Sequence, residues 1–182
     1  MTRSSRIVEV VERGYLNRGP RLVLEQLARY VARSLGVEPC QDSGECCPVH
    51  LWAPPERHCV SDVFFFAAAG PVPGYVARRL ARLEVSQVAP GFYVVYRVKE
   101  PSRRAYFRVG AGGVVEAAAP CPASLLSLLS SAAEAGRLRV RDAVEVLASN
   151  LGLKRAEARE IVQGLAKRLC ILVRDGYVVL LD

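Results

Sequence analysis

The stretch from Asp142 to Leu181 constrains the fold of this chain most, because three structural signals follow one another there without a gap. Ala143, Val144, Val146 and Leu147 place apolar side chains on one face of a helix that runs out at Asn150-Leu151-Gly152. A second amphipathic run, Lys154 to Leu169, begins at once. Cys170 to Val173 and Tyr177 to Leu181 then flank Arg174-Asp175-Gly176, and an Asp-Gly pair between β-prone segments predicts a tight hairpin. Upstream, Leu125, Leu126, Leu128 and Leu129 predict a helix over Ala123 to Ala135, followed by a short strand at Arg137 to Val140.

If Val144 opens a helix-turn-helix register, Ala148 falls at its tight fifth position and Gly152 at its ninth, where the turn favours positive φ. Leu147, Leu151, Leu153, Ala158 and Ile161 then take the usual buried places. Over roughly a third of the chain this pattern resembles the winged helix-turn-helix superfamily, with no subfamily signature. The resemblance implies a double-stranded DNA partner and a role as transcriptional regulator or accessory factor of a nucleic-acid machine. It also implies a recognition helix from Lys154 to Arg168, with Lys154, Arg155, Arg159 and Gln163 turned to bases and phosphates and Arg174 in the wing. Charge departs from that pattern. Residues 119–182 hold nine Lys or Arg against seven Asp or Glu, and Glu157 and Glu160 sit on the reading helix. Winged helices also dock onto proteins, so the alternative is a subunit of a larger complex whose winged helix meets a protein partner.

Both histidines and four of the six cysteines fall between Cys40 and Cys59: Cys40, Cys46, Cys47, His50, His58 and Cys59. Pro39, Pro48, Pro54, Pro55 and Gly44 around them predict an ordered loop with little core of its own, which a cross-link would hold. Thiolates and imidazoles suit tetrahedral zinc, and the two-residue gap in Cys47-Pro48-Val49-His50 lets both side chains reach one ion. Cys40, Cys47, His50 and Cys59 form one candidate set, with Cys46 and His58 as alternates. The spacing matches no zinc-finger or ferredoxin pattern. Disulfides, such as Cys40 with Cys46 or Cys47 with Cys59, compete with zinc, and an iron–sulfur cluster on four cysteines is a further option. Catalytic zinc would need Glu45 or Glu56 as its base. Cys121 and Cys170, far apart in sequence, read as lone buried side chains.

Elsewhere in the first two thirds, Leu24, Leu27, Val31 and Leu35 predict a helix that starts after Pro20 and closes at Gly36. Ile7 to Val11 is too short to decide between strand and helix. Val63-Phe64-Phe65-Phe66-Ala67 reads as a buried strand, and Tyr75 to Leu83 as a helix with Arg78, Arg79 and Arg82 outward, either solvated or set against phosphates. A hairpin follows, turning at Pro101 to Arg104. Its alternation predicts one apolar face and one face gathering Tyr93, Arg97, Lys99, Tyr106 and Arg108, where Arg97, Lys99 and Arg108 could hold a nucleic-acid backbone. Gly110 to Gly113 fails as a phosphate loop, since Val115 takes the place of the third glycine.

Composition bounds the rest. The 182 residues are 51% hydrophobic with no apolar run near membrane-spanning length, and the start Met1 to Arg6 lacks the apolar core of a secretory signal. The expectation is a cytoplasmic protein without membrane contact. A net charge of +7 suits a polyanionic partner. Few amides, one Met and an excess of Arg over Lys point to a thermophile, whose intracellular proteins tolerate disulfides, although a GC-rich genome gives the same arginine bias. No P-loop or nucleophile elbow is present, so no enzymatic role is expected. The fold class expected is α+β: an N-terminal domain, 1–118, of helices and an antiparallel sheet with the Cys/His-rich loop, and a C-terminal winged helix, 119–182.

Overall fold

The computed structural model describes residues 4–42 and 44–181; Met1 to Arg3 of the basic start, Ser43 and Asp182 lie outside them. The chain is mixed α+β and separates into two compact units, Met1–Ala118 and Ala119–Asp182.

The first unit begins with α1 (Arg6–Val11), a helix of six residues that could not persist alone. Its own N-cap and side chains remote in sequence satisfy its two ends. The Glu116 carboxylate accepts the Ile7 N–H at 2.9 Å, and Ser5 Oγ accepts the Val8 N–H. At the other end Arg97 Nε donates to the Val10 carbonyl at 2.9 Å and its Nη2 to that of Glu12, while Arg103 donates to that of Glu9 at 3.0 Å. A carboxylate at the amino end and two guanidiniums at the carboxyl end also complement the helix dipole.

Next come β1 (Gly14–Leu16), α2 (Arg21–Leu35), β2 (Val49–Leu51), a 3-10 helix (Arg57–Asp62), β3 (Phe65–Ala67), α3 (Gly74–Ala77), β4 (Ala81–Ala89), β5 (Phe92–Arg97), β6 (Arg104–Gly110) and β7 (Gly113–Ala117). The strands form one sheet of order β2-β3-β1-β4-β5-β6-β7. Pairing is parallel from β2 to β4 and antiparallel from β4 to β7, so the antiparallel sheet expected from sequence is only half of a mixed one. The parallel half escaped prediction because β1, β2 and β3 have three residues each, too few for any period to show. The sheet curls, so that α2 packs against β2 and β3 near one edge and β7 at the other, while α1 lies on β5 and β6. Ile7, Val10, Val11, Leu24, Leu27, Val31, Phe65 and Phe107 fill the core between them.

Two further expectations change. The run at Val63 is extended only from Phe65, because the preceding residues close the 3-10 helix. The helix expected over Tyr75 to Leu83 stops at Ala77, and β4 takes over from Ala81, pairing with β1 on one side and β5 on the other. Val76, Leu80 and Leu83 are buried, as their helical spacing suggests, but they lie in α3, in the turn after it and in β4.

The second unit runs α4 (Ala123–Ala132), β8 (Arg137–Arg139), α5 (Val140–Leu151), α6 (Arg155–Lys167), β9 (Ile171–Arg174) and β10 (Tyr177–Leu180). Its sheet is antiparallel, ordered β8-β10-β9. Gly152 ends α5 with φ 65° and ψ 33°, a left-handed cap that sends the chain into α6 after only Leu153 and Lys154. The β9–β10 turn places Asp175 at φ 53° and Gly176 at φ 78°, the two positive values that a two-residue hairpin turn requires. Leu129, Ala143, Leu147, Ala158, Val162, Leu165, Ile171 and Val178 make the core. Leu151, expected inside, is 40% exposed at the end of its helix, and Leu153 and Ile161 are half-buried. Among the described residues no helix is long and apolar enough to cross a membrane.

Candidate functional site

The exposed side of α6 gathers the residues that the sequence singles out in this unit. Arg155, Arg159 and Gln163, spaced four apart, are all exposed along one side of the helix, and Lys154 precedes them at its N-cap. The apolar side, Ala158, Val162 and Leu165, packs inward and leaves that polar row facing out. Glu157, which looked like an electrostatic misfit on a DNA-reading helix, has a structural duty. Its carboxylate accepts the Lys154 N–H at 2.8 Å and so caps the first turn. Arg155 is held by Glu145 of α5 at 2.5 Å, although both side chains are well exposed. These two line a cleft between α5 and α6 with Val140, Arg141, Val144 and Arg159. Arg174 stands exposed at the end of β9, beside the hairpin turn.

The set in the first unit is not brought together. In an antiparallel ladder, directly paired residues share a face, and the pairs here are Phe92 with Arg108, Tyr93 with Phe107, and Val94 with Tyr106. Tyr93 and Arg97 therefore lie on the face that covers α1, and Tyr106 and Arg108 on the opposite face. The expected single face of cations and rings combined two faces, because alternation along each strand does not reveal the register between them. Arg97 is committed to the α1 carbonyls, and burial, then the nearby Arg103, lowers its affinity for its proton. Tyr93 stacks on Phe107 in the core, with ring centroids 5.7 Å apart. Arg108 lies over the Phe92 ring at 4.4 Å, and Lys99 is exposed before the turn.

In the Cys/His segment, Cys40 pairs with Cys47 and Cys46 with Cys59, with Cα atoms 6.2 and 4.9 Å apart. Both separations suit disulfides. These are not the pairings expected from sequence, Cys40 with Cys46 or Cys47 with Cys59, because spacing cannot fix connectivity. The zinc set of Cys40, Cys47, His50 and Cys59 is not assembled. Cys46, His58 and Cys59 cluster in one place and Cys40, Glu45 and Cys47 in another; each group brings its ligand atoms within 4.8 Å of one another and could hold a metal. His58, exposed, lies 3.4 Å from Glu56. His50 stands apart in β2. It is fully buried, neither ring nitrogen has a hydrogen-bond partner, and burial pushes its pKa below the usual value, while the nearby Cys47 backbone opposes the shift without completing a hydrogen bond.

Cys121 and Cys170 are not lone side chains. Their Cα atoms are 5.5 Å apart and a disulfide joins them, tying the segment before α4 to the start of β9. A feature the sequence did not disclose is Arg13, whose guanidinium donates to the carbonyls of Val60 at 2.9 Å, Ser61 at 3.2 Å and Val63, closing the end of the 3-10 helix.

Comparison of the chain with protein-family models, curated proteins and solved structures gives no match.

Proposed function

We propose that the second unit is a winged helix and that the protein binds double-stranded DNA through it, as a transcriptional regulator or an accessory factor of a nucleic-acid machine. The order of helix, strand, two helices joined at a left-handed glycine and a hairpin supports the first part. The observation that carries the second is the exposed row Arg155, Arg159 and Gln163 on α6 with Arg174 on the adjacent hairpin. Docked with α6 in the major groove, early helix residues reach base edges while Arg174 grips phosphate. The role is one of binding, without catalysis. Zinc is kept only for a reduced form of the loop, where Cys46, His58 and Cys59 would supply three ligands once their sulfurs are free.

One observation favours the alternative, a protein-docking subunit. The Arg155 guanidinium is already engaged by Glu145, and DNA would have to draw it from that partner. An acidic and basic cleft between α5 and α6 suits a protein surface of mixed charge.

Selection of duplexes from a random pool by the full-length protein, followed by titration of the enriched sequence at low and high salt, separates the two. Arg155→Ala is expected to cost about 1–3 kcal/mol at the preferred site and little on random DNA, and Arg174→Ala to weaken both alike. No enriched sequence, together with indifference to both substitutions, rejects DNA reading and leaves the docking role.

A further inference from the structure

Between the 3-10 helix and α3 lies a small open cleft lined by Arg57, Val60, Tyr75, Arg78 and Arg79. All three guanidiniums are exposed, and among the described residues none is paired with a carboxylate. Arg82, grouped with Arg78 and Arg79 by sequence, lies outside it, engaged by Glu84 at 3.2 Å. Three unneutralised cations around one opening repel one another, and an anion between them relieves that repulsion.

The walls of the cleft are fixed. Tyr75 donates its hydroxyl to the Pro55 carbonyl at 2.7 Å, and its ring lies 5.4 Å beneath the Arg57 guanidinium. Val60 is fully buried at the base. The Cys46–Cys59 disulfide and the Arg13 guanidinium hold the 3-10 helix that carries Arg57. Such positioning lowers the cost of ordering long arginine side chains around a ligand.

Arginine clusters of this kind match phosphate oxygens. The side chains of the lining include no carboxylate and no amide, and the Tyr75 hydroxyl, its proton given to Pro55, keeps only its oxygen as an acceptor. Three guanidiniums against that one acceptor suit phosphate oxygens better than the mixed donors and acceptors of a sugar or a base, whereas small-molecule sites combine apolar enclosure with convergent polar groups of both kinds. We infer that this cleft is a phosphate site, and that the phosphate it takes is that of a nucleic-acid backbone held without regard to sequence. It lies in the first unit and does not depend on the winged-helix reading.

The test uses the full-length protein with Arg57→Gln, Arg78→Gln and Arg79→Gln combined, and labelled oligonucleotides of about 12 nucleotides of unrelated sequence. Affinity at low salt is expected to fall about tenfold for every sequence, with the salt slope reduced by roughly one to two. Unchanged affinity and slope overturn the site. Inorganic phosphate that competes as strongly, mole for mole, as the oligonucleotide overturns the nucleic-acid assignment, since the cleft would then serve free phosphate. Should the triple variant fold poorly, the unaltered protein answers the question. An arginine-selective dicarbonyl should modify Arg57, Arg78 and Arg79 less when oligonucleotide is present, and equal modification with and without it refutes the proposal. Adding Arg155→Ala and Arg174→Ala in a separate variant leaves the cleft untouched, so that failure of the α6 interface and failure of this site read out independently.

Discussion

His50 is a titratable ring sealed in a sheet with nothing to bond, and its charge state is tied to folding. Burial depresses its folded pKa below the unfolded value of about 6.5, so the unfolded chain takes up the proton first. The neutral ring imposes no proton-linked penalty above that pH, and stability declines as the pH falls below it. His50→Leu removes two unpaired nitrogens as well as the titration. Urea midpoints measured from pH 7.5 down to 5 are therefore expected to fall less steeply in this variant, whose advantage over the native protein grows toward acid. Parallel curves would show that His50 is not the group responsible. The sequence made His50 a metal ligand on the strength of its two-residue gap from Cys47. That gap is real, but β2 begins at Val49, and the register of that strand pairs His50 with Phe66 and leaves the ring outside both groups of clustered ligand atoms.

Elements with a strong local signature could be read directly from the chain. The periodicity of α2, α5 and α6, the glycine stops after α2 and α5 and the Asp-Gly hairpin each state their own geometry within a few residues. The parallel half of the sheet could not be read, because its three-residue strands exist through pairing with distant partners. The same holds for the candidate sites. The row on α6 follows from helical spacing, whereas the Arg57, Arg78 and Arg79 cleft needs the 3-10 helix and α3 to meet. Gly152 tests the turn that orients that row. At φ 65° an alanine is strained, so Gly152→Ala is expected to destabilise the second unit by about 1 kcal/mol. Hydrogen exchange of amides in α5 and α6 would report it, while amides in β5 and β6 should exchange as before.

As a whole molecule, the protein joins two units whose covalent ties differ in reach. The pairs in the first unit close short spans of 7 and 13 residues, and that in the second closes 49. Loop-closure entropy assigns the long one the largest share, about 4 kcal/mol, against roughly 2 and 3 for the others. The Cys121–Cys170 bridge also has a mechanical consequence. It encloses α4, β8, α5 and α6, so tension applied at the two ends of the second unit bypasses all four and can draw out only the residues outside the ring, chiefly the β9–β10 hairpin. Stretched in an optical trap or by an atomic-force tip, the oxidised unit should give only a short step of roughly 40 Å, from the β9–β10 hairpin. Reduction should add roughly 170 Å of contour length to its unfolding step. Equal step lengths in oxidant and reductant would show that the bridge does not carry the load.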